Sequence, residues 1–308
     1  MLFRSDDYIK NTIKKHELTR SDKELDRFNH VDYTNCNTGP IFLTYRHKNK
    51  IDFIVKTWTE TKTPVYSYKS EDGVSQIIWV VDEKDVTSEL SAIFAKIDYL
   101  YIADGHHRSA SAVKVGLKRR QDNPSYDGDE EFNYFLSVIF PDNDLYVMDY
   151  NRVVADLFGN SFDEFMNKVS EKFDITAGDG IGQFKPKVKR TYGMFLEGKW
   201  YKLEAKEGSF NLNDPVEGLD VSILQKNLLE PILGIDDPRT NSRIDFVGGI
   251  RGLKELERRV KCGMKIAFSM CPTTMDDLIN IANAGKTMPP KSTWFEPKLQ
   301  SGIFVHEL

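Results

Sequence analysis

Cysteine is scarce in this sequence: three residues in 308, Cys36, Cys262 and Cys271, odd in number and far apart. No CxxC pair occurs, so neither a zinc site nor a disulfide framework is suggested, and the three thiols read as packing residues. Long apolar runs are missing as well. No stretch approaches the ~20 residues needed to span a bilayer, and the opening MLFRSDDYIKNTIKKHE has no apolar core of a secretory signal. The expected compartment is therefore cytoplasmic, with no membrane partner. A surplus of positive charge is also absent. Lys and Arg number 42 against 47 Asp and Glu, for a formal net charge of -5. That leaves no general electrostatic footprint for nucleic acid, which is not an expected partner. No internal repeat or low-complexity tract appears. The glycine spacings of the common nucleotide motifs are missing too: Val247 to Gly252 lacks both the GxGxxG and the Walker pattern and reads as a tight turn.

The chain is long for one core and comfortable for two domains. A boundary is expected near 150–160, giving regions 1–155 and 156–308. Residues 5–27 are polar and read as a surface helix and loop, and 31–40 as a loop. The run 41–45 reads as a strand and 50–58 as an amphipathic helix. Two strands, 64–68 and 75–81, flank an Asp72-Gly73 turn, and a short helix runs to Lys96. The apolar run 97–103 reads as a buried strand, followed at once by a helix over 106–121. Residues 132–140 and 145–150 read as a hairpin. Ser161 and Glu164 form a capping-box pattern opening a helix over 162–172. Beyond it, a hairpin around Glu197-Gly198, a helix over 220–230 and an alternation of strands and helices end in a final strand, 302–308. The order predicts a mixed α/β class with helices layered on sheet.

The chemistry is concentrated where the strand 97–103 meets the helix, at Asp104-Gly105-His106-His107-Arg108. Gly105 allows a sharp turn and a close approach of backbone to ligand. The N–H groups of His106, His107, Arg108 and Ser109 at a helix start favour an anion, as does the helix dipole. Arg108 adds a donor fork suited to phosphate. The two histidines add donors or acid/base groups near neutral pH, and Asp104 is able to hold Mg2+ or orient a hydroxyl. Asp and Gly before a helix are often a cap and a turn with no further role, but cations in the first turn oppose the dipole and call for an anionic partner. A metal site on Asp104, His106 and His107 is a third reading, ranked lower because adjacent helical residues diverge by ~100°.

Three segments carry a resemblance to a known family. They are residues 101–112 (YIADGHHRSASA), 38–43 (TGPIFL) and 288–298 (MPPKSTWFEPK). In this order they closely resemble the domain-of-unknown-function 1015 (DUF1015) family over nearly the whole chain. That family looks related to the ParB/sulfiredoxin-like superfamily and to free serine kinases that use ADP or ATP. The resemblance implies a ParB/sulfiredoxin-like core followed by a second α/β domain. It implies a Gly-x-x-Arg turn holding nucleotide phosphates, here Gly105 to Arg108, with Asp104, His106 and His107 beside the transferred group. Members of the family usually carry a further N-terminal segment, which is expected to be absent here. The kinases also place a glutamate well before the turn as base. Glu60 and Glu71 lie upstream in this sequence, and neither sits in a recognised motif.

Pro289-Pro290 forces the chain out of the helix ending at Gly285. Lys291, Ser292 and Thr293 then form a second phosphate- or substrate-facing loop or a rigid linker, the family resemblance favouring the former. Asp236 to Asn241 reads as a solvated turn, and Asn151-Arg152 as a surface salt bridge before a substrate carboxylate clamp. His16, His30, His47 and His306 are isolated and receive no role. The expected function is a nucleotide-dependent phosphotransferase acting on a small hydroxyl substrate such as free serine, with ADP or ATP and Mg2+, and a homodimer as one possible assembly. The alternatives are a nucleotide-binding switch without catalysis and a structural domain.

Overall fold

The computed structural model describes residues 1–71, 73–177, 182–296 and 298–308. Asp72, in the turn expected at Asp72-Gly73, and Pro297, in the third motif, lie outside the described residues. The architecture is mixed α/β, as expected, and rests on two larger sheets. The first has the strand order Leu2–Arg4, Tyr134–Pro141, Ile41–Tyr45, Leu100–Asp104, Ile13–Lys14. The second runs Phe173–Ala177, Lys199–Ala205, Thr191–Leu196, Ile266–Ser269, Tyr150–Val154, Ile244–Gly248, all antiparallel.

The central strands of the first sheet are apolar on both faces because both faces are covered. Leu43 and Ile102 are fully enclosed, and Ile41, Tyr45, Ala112, Val113 and Phe135 pack with them. A continuous apolar run is the pattern such doubly covered strands produce. Helix His106–Asp122 supplies Ala112 and Val113 to this packing. Helix Ser21–Thr34 lies on it in turn, with Ser111 Oγ donating to the Glu24 carbonyl at 2.8 Å. Elsewhere, Ser161 and Thr274 each close a capping box at the start of Phe162–Lys172 and Met275–Asn283.

Four expectations need correction. The segment 5–27 is not merely a surface layer, since Ile13–Lys14 is a buried edge strand parallel to Leu100–Asp104. Two residues are too few to show a periodic signal. The loop expected over 31–40 begins only after Thr34, because helix Ser21–Thr34 continues to a left-handed Asn35. Tyr134–Pro141 and the following strands are not a hairpin. Tyr134–Pro141 belongs to the first sheet, Tyr146–Met148 pairs with Trp294–Glu296, and Tyr150–Val154 enters the second sheet. The turn between them is held instead by Arg46 Nη1 and the His47 N–H on the two Asp142 oxygens. The last strand is only His306–Glu307, paired with Cys36–Asn37. The chain end thus returns to the first half, and Phe295 packs 6.2 Å from Phe42. Among the described residues no helix is long and apolar enough to cross a membrane.

Candidate functional site

Strand Leu100–Asp104 delivers Asp104 to the mouth of a cavity, and Gly105 turns the chain into the helix. Gly105 has φ +100, and a Cβ there would stand 2.9 Å from Arg108 Nη2. Only glycine both adopts this turn easily and leaves room for the guanidinium folded over it. No side chain caps this helix, unlike the two helices with capping boxes. The Ser109 N–H is already taken by the Gly105 carbonyl at 2.9 Å, and its buried hydroxyl donates back to the Gly105 and His106 carbonyls. Ser109 thus turns both groups back onto the helix backbone. The open donors are those of the first turn, at His106 to Arg108.

Parallel register explains a residue that the sequence hid. Ile13 pairs with Leu100 and Lys14 with Tyr101; carried on at the same offset, Glu17 stands beside Asp104. Both line one cavity of about 190 Å³ together with His16, Tyr150, Lys291, Ser292 and Thr293. Neither Glu60 nor Glu71 reaches it. Glu60 is an exposed helix residue 3.9 Å from Lys56, and Glu71 is exposed in the loop after Tyr66–Lys69. The Glu17 side chain is half exposed, but the crowding of its carboxyl in the cavity, reinforced by the Asp104 carboxylate and opposed by Lys291, pushes it above its usual value.

The two adjacent histidines diverge. His106 is 3% exposed. Its Nε2 faces the His16 N–H at 3.5 Å, and its Nδ1 lies 3.4 Å from Glu17 Oε2. The His16 and His106 rings meet edge to face at 4.5 Å. Burial, then the neighbouring His16, His107 and Lys15, hold His106 neutral, and burial lowers His16 to about 4. His107 turns the other way. Its Nε2 accepts the Arg20 N–H at 3.0 Å, and it lines a larger cavity of about 670 Å³ with Glu17, Lys23, Phe246 and Lys291. Arg239 and Asn241 border the same space, although the turn itself is bound internally by the Asp237–Arg239 ion pair.

Arg108 points to a third cavity of about 280 Å³, lined also by Arg27, His30, Thr38, Gly39 and Ser301. Its Nε is buried with no hydrogen-bond partner, and its Nη2 is 3.5 Å from Asp104 Oδ2. A Cβ on Gly39 would touch Arg108 Cδ at 3.5 Å. His30, given no role from the sequence, meets Thr38 Oγ1 at 3.0 Å in this wall.

The loop after Gly285 reaches the turn by extending the sheet edge: the Met288 N–H donates to the His16 carbonyl at 2.7 Å. Ser292 is buried, its hydroxyl donating to the Pro289 carbonyl at 2.6 Å. Its side chain shapes the loop, and Lys291, Ser292 and Thr293 all line the cavity. The three segments Thr38 to Leu43, Asp104 to Arg108 and Met288 to Thr293 therefore meet at one turn. Arg152 is no surface ion pair. It is 3% exposed and donates to the Tyr150 and Lys291 carbonyls.

As to metal, no group of three or more His, Cys, Asp or Glu side chains is gathered to hold an ion among the described residues. Asp104, at the mouth of the first cavity, could hold only an ion that takes most of its ligands from water or from a bound molecule.

The model of the family described as a protein of unknown function (DUF1015) matches residues 1–222, and the chain belongs to that family. No curated protein matches the sequence. Among solved structures, a glutamate-to-alanine mutant of a free serine kinase in complex with AMP is similar at TM-score 0.45 and 13% identity, over 96% of this chain and 86% of that one. The corresponding complex with ADP stands at 0.45 and 12%, over 96% and 86%. A C-terminally truncated SbnI from Staphylococcus aureus stands at 0.47 and 10%, over 96% and 82%.

Proposed function

We propose that this DUF1015 family member is a nucleotide-dependent phosphotransferase whose acceptor is a small hydroxyl compound such as free serine. The observation that carries the reading is the convergence of three sequence-distant segments on an uncapped helix start, with an acid on one side and an unpartnered arginine nitrogen on the other. Phosphoryl transfer asks for positioning and charge neutralisation more than for covalent chemistry. The first-turn amides, Arg108 and Lys291 supply positive partners for phosphate oxygens. ADP or ATP is the donor this arrangement suits.

Glu17 is the base in this scheme. It takes the proton of the acceptor hydroxyl, whose oxygen forms a bond to the terminal phosphorus as the bond to the leaving nucleotide breaks. A carboxyl raised by burial and by Asp104 is better matched to that task than an ordinary one. Mg2+, when bound, neutralises developing phosphate charge, and Asp104 is the residue that would hold it. His106 is too buried to meet substrate and acts on Glu17. His107 faces the larger cavity, at the outer side of the turn.

The test is calorimetric titration of ADP and ATP into wild type and Arg108→Ala, followed by an assay of phosphate transfer to serine with Mg2+. Binding by wild type, its loss in Arg108→Ala and transfer to serine are expected. Binding with no transfer to any hydroxy amino acid would make the protein a nucleotide switch, and no binding to the wild type sinks both.

A further inference from the structure

We infer that Arg152 is a positioning residue: its enclosed guanidinium grips the Lys291 carbonyl and thereby fixes the Met288 to Thr293 loop against the phosphate turn. The inference rests on the reading that Lys291 faces phosphate.

Arg152 lies on strand Tyr150–Val154 of the second sheet, 3% exposed. Its Nη2 donates to the Lys291 carbonyl at 3.1 Å, and its Nη1 donates to the Tyr150 carbonyl. The guanidinium lies over the Phe246 ring at 5.5 Å. Among the described residues no carboxylate pairs with it, so only carbonyl dipoles and a ring face compensate the enclosed charge. Burial accordingly lowers this arginine to about 10. An enclosed cation without an acid is an expensive way to fill space, and an apolar side chain of similar length would pack there at lower cost. What an apolar side chain lacks is the fork that spans two carbonyls.

The held residue is itself unusual. Lys291 has φ +58, a left-handed conformation that a non-glycine residue adopts only when its surroundings impose it. The grip on its carbonyl is such an imposition. Lys291 Nζ lies 5.4 Å from the Tyr150 ring centroid, and the residue lines the two cavities that share Glu17. Two neighbours on one strand thus fix one lysine at both ends, Arg152 at its carbonyl and Tyr150 at its ammonium.

The experiment compares wild type, Arg152→Met and Arg152→Lys by melting temperature, by amide exchange over 286–293 without nucleotide, and by ADP titration. Arg152→Met is expected to melt at or above the wild-type temperature. Its loop amides should exchange at least about tenfold faster, and its ADP affinity should fall by about tenfold. Arg152→Lys keeps the charge without the fork, and it should show the same faster exchange at an unchanged melting temperature. Wild-type protection of 286–293 in either variant overturns the inference, whatever happens to ADP. So does a general fall in melting temperature with exchange rising throughout the chain, which is the signature of a merely structural arginine. If wild type fails to bind ADP, the phosphotransferase reading is lost while the exchange comparison still decides the role of Arg152.

Discussion

His106 Nδ1 lies 3.4 Å from Glu17 Oε2, while its Nε2 faces the His16 N–H. A ring nitrogen that accepts cannot also carry the proton in a neutral imidazole, so Nδ1 bears it, on the side that faces Glu17. The first prediction concerns this relay. His106→Asn keeps an N–H donor near Nδ1, and His106→Phe removes it. Loss of a donor to the carboxylate favours its protonated form, so the acidic limb of the transfer–pH profile should move upward in the Phe variant and return toward wild type in the Asn variant. Transfer in His106→Phe should drop by up to about tenfold, the scale of a lost polar contact. Identical profiles in both variants would rule out this role.

Glu17 is the residue to test next. Glu17→Gln preserves shape and removes the base, so phosphate transfer should fall by roughly 10²- to 10⁴-fold while ADP affinity stays near wild type. Single-turnover transfer alongside calorimetry separates the two. Equal transfer by the variant would move the base elsewhere.

Glu17 also shows what the sequence conceals. Asp104 to Arg108 was legible because a buried strand, a glycine and a helix follow one another within a few residues, each with its own local signature. Glu17 has none. It follows a two-residue strand, and only the parallel pairing of Ile13 with Leu100, which joins residues distant in sequence, sets it beside Asp104. His16 was passed over for the same reason. Arg152 looked like a surface charge because an arginine in a strand carries no sign of which face is covered. The hairpin expected over 132–150 failed because two apolar runs around a polar turn do not say whether they pair with each other or with separate sheets. Helices with strong local signals, Phe162–Lys172 above all, were read from the sequence to within a residue or two.

The Asp104 to Arg108 turn itself yields a third prediction. Arg108→Ala removes the fork and Arg108→Lys keeps only a point charge. Both should weaken ADP binding, by about tenfold or more for alanine, since a charge-assisted hydrogen bond is worth ~1.5–3 kcal/mol. Gly105→Ala should do similar damage by another route. The left-handed backbone costs a non-glycine residue ~1–2 kcal/mol, and the new Cβ would displace Arg108 Nη2 from 2.9 Å away. A lowered melting temperature together with weaker ADP binding is the expected pair of results; a lower melting temperature alone would separate the turn from the ligand.

Stability against pH supplies the last prediction. His16 is held at about 4, below its ordinary 6.5, because burial disfavours its charged form. A group with a depressed folded value contributes stability that is fully present above 6.5 and is lost as pH falls from there toward 4. His106, also lowered and fully enclosed, acts in the same direction. Asp220 opposes them. Burial raises it to about 6 from an ordinary 3.8, so its contribution is fully present below 3.8 and is lost as pH rises through about 6. Over pH 6.5 to 4 the wild type therefore shows only the difference between the histidine terms and the opposing Asp220 term, those of His16 and Asp220 each being about 3 kcal/mol for a shift of about two units. The variants separate them. Asp220→Asn should lose stability to acid more steeply than wild type, because the compensating carboxyl is gone, and His16→Gln should lose it less steeply. Denaturant midpoints at pH 7.5, 6 and 4.5 read both slopes; parallel slopes in all three proteins would mean that neither group titrates as its surroundings require.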